Sequence, residues 1–483
     1  MSCKSLFIAL IFVLVTAPPA AAQSQDEAIV HFDQAAKLYK AGKLDAALAE
    51  FDRARAAAPK DPLIYNWIGF IKLIQEKYAD AIEPLEQAVK LNPKYAEAYT
   101  NLGNAYQNTK RPEDAVVVFK KAIDLDPKSA NAHYNLGNVY SKMNRYPEAI
   151  SEFRRAAELN PKDAYVMSNL GYALQVTGKN AEAATCYDKA TKLLPTNAAF
   201  WLNLGLAYNE LKQYSQAKDA LSKAVSLESG NVDARVALGE ALFKLNQDAA
   251  AIPQFEKALT LNPKDFTSAY YLGVLYSRTN QKPKAIAIYK QALELRPTSL
   301  EAMAALGMLY YQGGQLDDAV ATFRKLTEEA PADPVAWLNL GSAYSKKGDQ
   351  DAAAQALQTA LDRNTEKKTE IRRWLGNYYI NKNELVKADA IYARILQENP
   401  TNSEALDGLG RIEDKKGNVD EAIKLYRRAI AADPKNKFAH NNLGVSLEKK
   451  GQSDQAVLSY KKALALDPNF VDAKKNLDRY PGK

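Results

Sequence analysis

Apolar positions along this chain return with two superimposed periods. Over short stretches they recur every three or four residues, the spacing of one face of an α-helix. Over longer distances the whole pattern returns every 34 residues, from about Ala28 to Phe470. The stretch Ala96 to Ser129 shows one period. Leu102, Gly103 and Tyr106 fall on one face of a first helix, Ala115, Phe119 and Ala122 on one face of a second, and Pro127 ends the unit. Each period therefore predicts two short amphipathic helices and a stop. One such hairpin cannot bury its apolar face alone, so each unit must stack on the next.

With the stop placed at the 32nd position, prolines fall at 59, 93, 127, 161, 195, 263, 297, 331, 400, 434 and 468, and Ser229 and Thr365 fill the other two, which gives 13 units. Place 20 is alanine in every unit, and place 8 is glycine in 12 of them, with Ala35 the exception. Glycine inside a helix costs about 1 kcal/mol relative to alanine. Its recurrence at one place points to a close helix–helix contact. Two joints depart from the rule: LESGN replaces the usual stop in the sixth unit, and Arg363 to Glu370 has no proline and one extra residue. The latter is the candidate flex point.

The order of an aromatic, then L-G, Y, A, F, A and P at these spacings resembles the tetratricopeptide repeat. The resemblance covers about nine tenths of the chain, residues 28–470. It implies an all-α fold, a right-handed α-solenoid superhelix of helix-turn-helix repeats, with first helices lining a concave groove and second helices outside. The 13-unit array is similar to the repeat region of O-linked N-acetylglucosamine transferases, where it is joined to a large catalytic region. Only residues 471–483 follow the last unit here, and they read as a capping helix and tail. The resemblance thus stops at the array.

Residues 1–22 stand outside the repeat. Lys4, the apolar run Leu6 to Val15 and the small residues Ala20, Ala21 and Ala22 have the layout of a secretory signal peptide. Residues 23–27 then form a short segment before the array. Export to the periplasm or the extracellular space is expected, with no membrane span after cleavage. The mature chain keeps only Cys186 and so forms no internal disulfide. The net charge of +7 is mild for this length, and lysines and acids are interspersed, which excludes the concentrated basic stripe of a nucleic-acid binder.

Candidates for chemistry are few. His31, His133 and His440 all occupy place 4, where other units carry Tyr65, Tyr99, Trp201 or Trp337, and read as half-buried substitutes for an aromatic residue. No histidine pair has metal-ligand spacing, and no phosphate loop or nucleophile motif is present. The expectation is a non-enzyme without cofactor or metal.

By the resemblance, places 2, 5, 6, 9 and 12 of each first helix face the groove. Place 6 is Asn101, Asn135, Asn169 and Asn203 in four successive units, with Asn339 and Asn442 later, and place 9 adds Asn104 and Asn138. Asparagine is a mediocre helix former, but its amide can both donate to and accept from a peptide backbone. Tyr134, Tyr165 and Tyr172 lie nearby. These nine residues, Asn101, Asn104, Asn135, Asn138, Asn169, Asn203 and the three tyrosines, form the candidate peptide-binding site; the structural alternative is that the amides bond neighbouring first helices. The carboxylate grip of some family members is missing, because Gly408 stands where its second asparagine belongs. The expected function is a protein–protein interaction scaffold holding an extended segment of another protein. The alternative is a structural part of an envelope assembly acting through its convex face or by self-association.

Overall fold

The computed structural model describes residues 19–481 of the 483-residue chain. The signal-like run Leu6 to Val15 lies outside the described residues. Those described form 27 α-helices and no strand. The first 26 pair into consecutive antiparallel hairpins, numbered here in chain order, and Val471–Leu477 follows as a single short helix. The first helix runs unbroken over Pro19–Lys40, so residues 23–27 are helical. Backbone packing divides the chain into two bodies, one ending at Leu261 and one beginning at Asn262.

The recurrent residues have separate mechanical roles. Hairpin 3 pairs Ala96–Asn108 with Pro112–Leu125. A Cβ added to Gly103 would lie 2.6 Å from the Phe119 ring; the missing side chain is what admits that ring between the two helices. The place-20 alanines Ala47, Ala81 and Ala115 have no exposed surface. Each tight turn inside a hairpin needs a residue in the left-handed region, taken by Asn144, Asn246 and Asn280 at φ 59°, 56° and 57°.

In about half of the units place 4 ties the joint to the preceding hairpin. Tyr65 Oη donates to Pro59 O at 3.2 Å, Trp201 Nε1 to Pro195 O at 2.9 Å, Trp337 Nε1 to Pro331 O at 3.0 Å and Arg235 Nε to Ser229 O at 2.8 Å. His440 Nε2 lies 3.1 Å from Pro434 O. What unites these residues is a ring or fork carrying a donor that reaches the preceding stop carbonyl. His133 adds a 2.6 Å contact from Nδ1 to Glu152 Oε2, and His31 makes the equivalent contact with Glu50 at 2.7 Å.

Most first helices also receive a side-chain N-cap, for example Asp61, Ser129, Asp163 and Asn436. The joint between hairpins 10 and 11 does not. There the second helix ends at Asp362, Asn364 takes φ 65°, Thr365 is buried, and Lys368–Asn381 begins behind Lys367 with no side-chain cap.

In the first body, first helices touch the first helix of the next hairpin, Pro62–Ile74 with Ala96–Asn108, and Ala96–Asn108 with Ala130–Lys142, while second helices do not pack on one another comparably. The first helices of hairpins 2 to 4 therefore pack directly on one another, and this packing thins toward hairpin 5. One apolar core, running from Ala81 to Ala220, lies behind them.

Candidate functional site

The candidate face is built by the first helices of hairpins 3 to 6, namely Ala96–Asn108, Ala130–Lys142, Ala164–Val176 and Ala198–Glu210. Their apolar places point into the core, which fixes the register of the polar ones on the opposite side. The asparagine row does not behave uniformly along it.

Two members are internal fasteners. Asn101 is buried, and its Nδ2 donates to Asn66 Oδ1 at 2.8 Å, while Asn66 Nδ2 donates to Tyr95 Oη at 3.0 Å. Burial holds the Tyr95 phenol well above its ordinary range. Asn101 is therefore withdrawn from the candidate contacts: its amide is spent on the preceding hairpin. Asn169 Nδ2 donates to Tyr134 Oη at 3.1 Å and to Asn138 Oδ1 at 2.8 Å, which ties hairpin 5 to hairpin 4 and engages both acceptors.

The alternate members are open. Asn135 and Asn203 are half-buried and make no side-chain hydrogen bond among the described residues. Asn104 is half-buried, its carbonyl accepting from Asn108 Nδ2 at 2.8 Å. Tyr165 and Tyr172 are 54% and 50% exposed. Tyr165 meets Phe200 edge-on at 5.5 Å, and Tyr172 meets Tyr146 edge-on at 6.3 Å. Tyr134 is half-buried, tilted against Phe153 at 5.9 Å. This face thus carries two unpaired amides and two half-exposed tyrosines, and the Asn169 bridge ties hairpin 5 to hairpin 4.

Some polar groups on this face were not singled out from the sequence. Asn66, at place 5, anchors Asn101. Asn209, at place 12, donates to Ala237 O at 3.2 Å and keeps a buried Oδ1 without a partner, as does Gln107 Oε1. Their places are those the repeat assigns to the groove, but Asn66 and Asn209 each bond a residue of the next unit, Asn101 and Ala237.

The second body carries a different first-helix face. In hairpins 11 to 13, Arg373 is paired with Glu404, Arg411 Nη1 and Tyr392 Oη both donate to Asn377 Oδ1, at 2.6 and 3.0 Å, and Asn442 Nδ2 donates to Asp407 Oδ1 at 2.9 Å. Burial pushes the Asp407 carboxyl up to about 6, against the opposing hydrogen bond from Asn442. Arg373 and Asn377 are thus occupied by protein partners. Among the described residues no group of three or more His, Cys, Asp or Glu could hold a metal ion, and no helix is long and apolar enough to cross a membrane. The half-buried Cys186 thiol is pushed up by desolvation.

Family models described as tetratricopeptide repeat or TPR repeat match residues 71–110, 111–144 and 176–212, 96–125 and 130–163, 283–344, and 210–266, 236–299, 338–403 and 408–469. Together they span well over half of the chain. Among solved structures, MamA is 28% identical over 34% of this chain and 95% of its own, with a TM-score of 0.32. YrrB, described as a TPR protein with an unusual peptide-binding site, is 26% identical over 39% of this chain and 96% of its own, with a TM-score of 0.37. Pseudomonas aeruginosa pilF is 20% identical over 44% and 96%, with a TM-score of 0.39. No curated protein matches the chain.

Proposed function

The chain belongs to the tetratricopeptide repeat family, and from that premise we propose that it is a non-catalytic scaffold of thirteen repeats, exported by its N-terminal segment, that holds an extended segment of another protein on the first-helix face of hairpins 4 to 6. Repeats of this family mediate protein–protein interaction. The observation that supports the finer reading is the mix of open and engaged groups: Asn135 and Asn203 make no side-chain hydrogen bond among the described residues, Tyr165 and Tyr172 are about half exposed, and Asn169 ties hairpin 5 to hairpin 4. A peptide backbone repeats its donors and acceptors regularly, and amides spaced along parallel helices can meet them whatever the side chains. Like the arrays of O-linked N-acetylglucosamine transferases, this one supplies a surface, and no catalytic role is assigned to it.

The alternative, an envelope component acting through its second helices, has thinner support. The exposed apolar residues there, such as Val117 at 66% and Val386 at 84%, stand singly, as is normal for a protein surface.

The test is capture from an envelope extract with the mature protein, identification of the retained protein by mass spectrometry, and titration of its retained segment against wild type and Asn135→Ala/Asn203→Ala. Each lost amide contact is expected to weaken binding by on the order of 1 kcal/mol. Unchanged affinity would remove these amides from the site. Export is checked separately by N-terminal sequencing, which is expected to begin at Gln23.

A further inference from the structure

We infer that the segment held by hairpins 4 to 6 is an uncharged one. This rests on the peptide-groove reading and adds the chemistry of the ligand. Places 2, 5, 6, 9 and 12 of these three hairpins make fifteen positions, and not one is Asp, Glu, Lys, Arg or His, in a chain that is 25% charged. They are filled by Asn, Tyr, Ser, Gln, Leu and Ala. The same places in hairpins 11 and 12 hold Glu370, Arg373, Glu404, Asp407, Arg411 and Asp414. The fold therefore accepts charges at these places; hairpins 2, 8 and 10 also carry none there, and what sets hairpins 4 to 6 apart is three neutral hairpins in succession.

The consequence follows from desolvation. A partner carboxylate or ammonium laid against these fifteen positions would give up water and meet no countercharge from them. A neutral segment loses far less, and its backbone finds the free amides of Asn135 and Asn203. Tyr165 and Tyr172, both about half exposed, offer flat apolar faces to prolyl, aliphatic or aromatic side chains. Selection works mainly by penalising charged competitors.

The experiment uses the full-length mature protein on an array of short synthetic peptides that vary in net charge, followed by anisotropy titration of the best binders. Neutral peptides are expected to dominate, with Kd changing by less than about twofold between about 50 and 500 mM salt, because screening weakens only charge–charge attraction. Tyr165→Ala/Tyr172→Ala is expected to weaken them at least tenfold. Asn135→Lys/Asn203→Lys, at two half-buried places without partners, is expected to transfer the preference to acidic peptides and to introduce a tenfold or greater salt dependence; melting curves confirm that each variant folds. Charged peptides dominating on wild type, and weakening with salt, would overturn the inference and leave the peptide groove standing. Equal retention of charged and neutral peptides would do the same. Retention of no peptide, whether or not a neutral oligosaccharide is retained instead, would overturn both.

Discussion

At the scale of single residues, the repeat sets steric and electrostatic terms that substitutions can read. In hairpin 8, a Cβ on Gly273 would come 2.6 Å from the Tyr289 ring. Gly273→Leu is expected to destabilise by about 1–3 kcal/mol or more through forced backbone shifts, seen as a lowered urea midpoint. Asp407 offers a pH test. Its folded-state value, about 6, lies above its ordinary 3.8, so the folded chain favours the neutral acid. That contribution is complete below pH 3.8 and is lost as pH rises through about 6. Asp407→Asn keeps an acceptor for Asn442 without the charge. It is expected to stabilise at pH 8 and to change little at pH 4, in parallel urea melts. The gap between 3.8 and about 6, at ~1.4 kcal/mol per pH unit, bounds the gain at about 3 kcal/mol. The place-4 histidines were legible as substitutes for aromatic residues. Their reach to the stop carbonyl was not, because it depends on a turn that only the fold closes.

At the scale of helices and joints, the hydrophobic period carried nearly all the information. Hairpin boundaries, the stop prolines and the odd joint at 363–370 can be read from spacing alone, because each reflects a local rule about helix ends. The division of the asparagine row could not be read this way. Asn101 and Asn135 occupy the same place, and what separates them is Asn66, a residue 35 positions upstream of Asn101 that accepts its hydrogen bond. This difference is measurable. Asn101→Ala leaves the Asn66 carbonyl unpaired next to a buried site and is expected to cost about 1–3 kcal/mol. Asn135→Ala removes no bond and, alanine being the better helix former, is expected to leave stability unchanged or slightly raised. Paired thermal melts decide it. The joint at 363–370 lacks both proline and side-chain cap, so it is expected to open more readily than its neighbours. Limited proteolysis is expected to cut there first, and first cuts spread evenly over several joints would contradict this.

At the scale of the whole molecule, within each body a hairpin is stabilised by its neighbours, so a surface property can be confined to a few units. That is how the neutral face of hairpins 4 to 6 and the ion-paired face of hairpins 11 to 13 share one fold. Sequence alone singled out the asparagines and tyrosines of hairpins 3 to 6, but counted engaged and open groups alike and did not read the absence of charge beside them. The central claim is that the open groups hold the partner. The most direct test is the affinity of a captured partner segment for the variant carrying Asn135→Ala, Asn203→Ala, Tyr165→Ala and Tyr172→Ala, beside wild type. With about 1 kcal/mol lost at each of four contacts, binding is predicted to fall on the order of 1,000-fold while the variant stays folded, its melt lowered only by the lost ring contacts of Tyr165 and Tyr172. An unchanged affinity in a variant that stays folded would contradict the account.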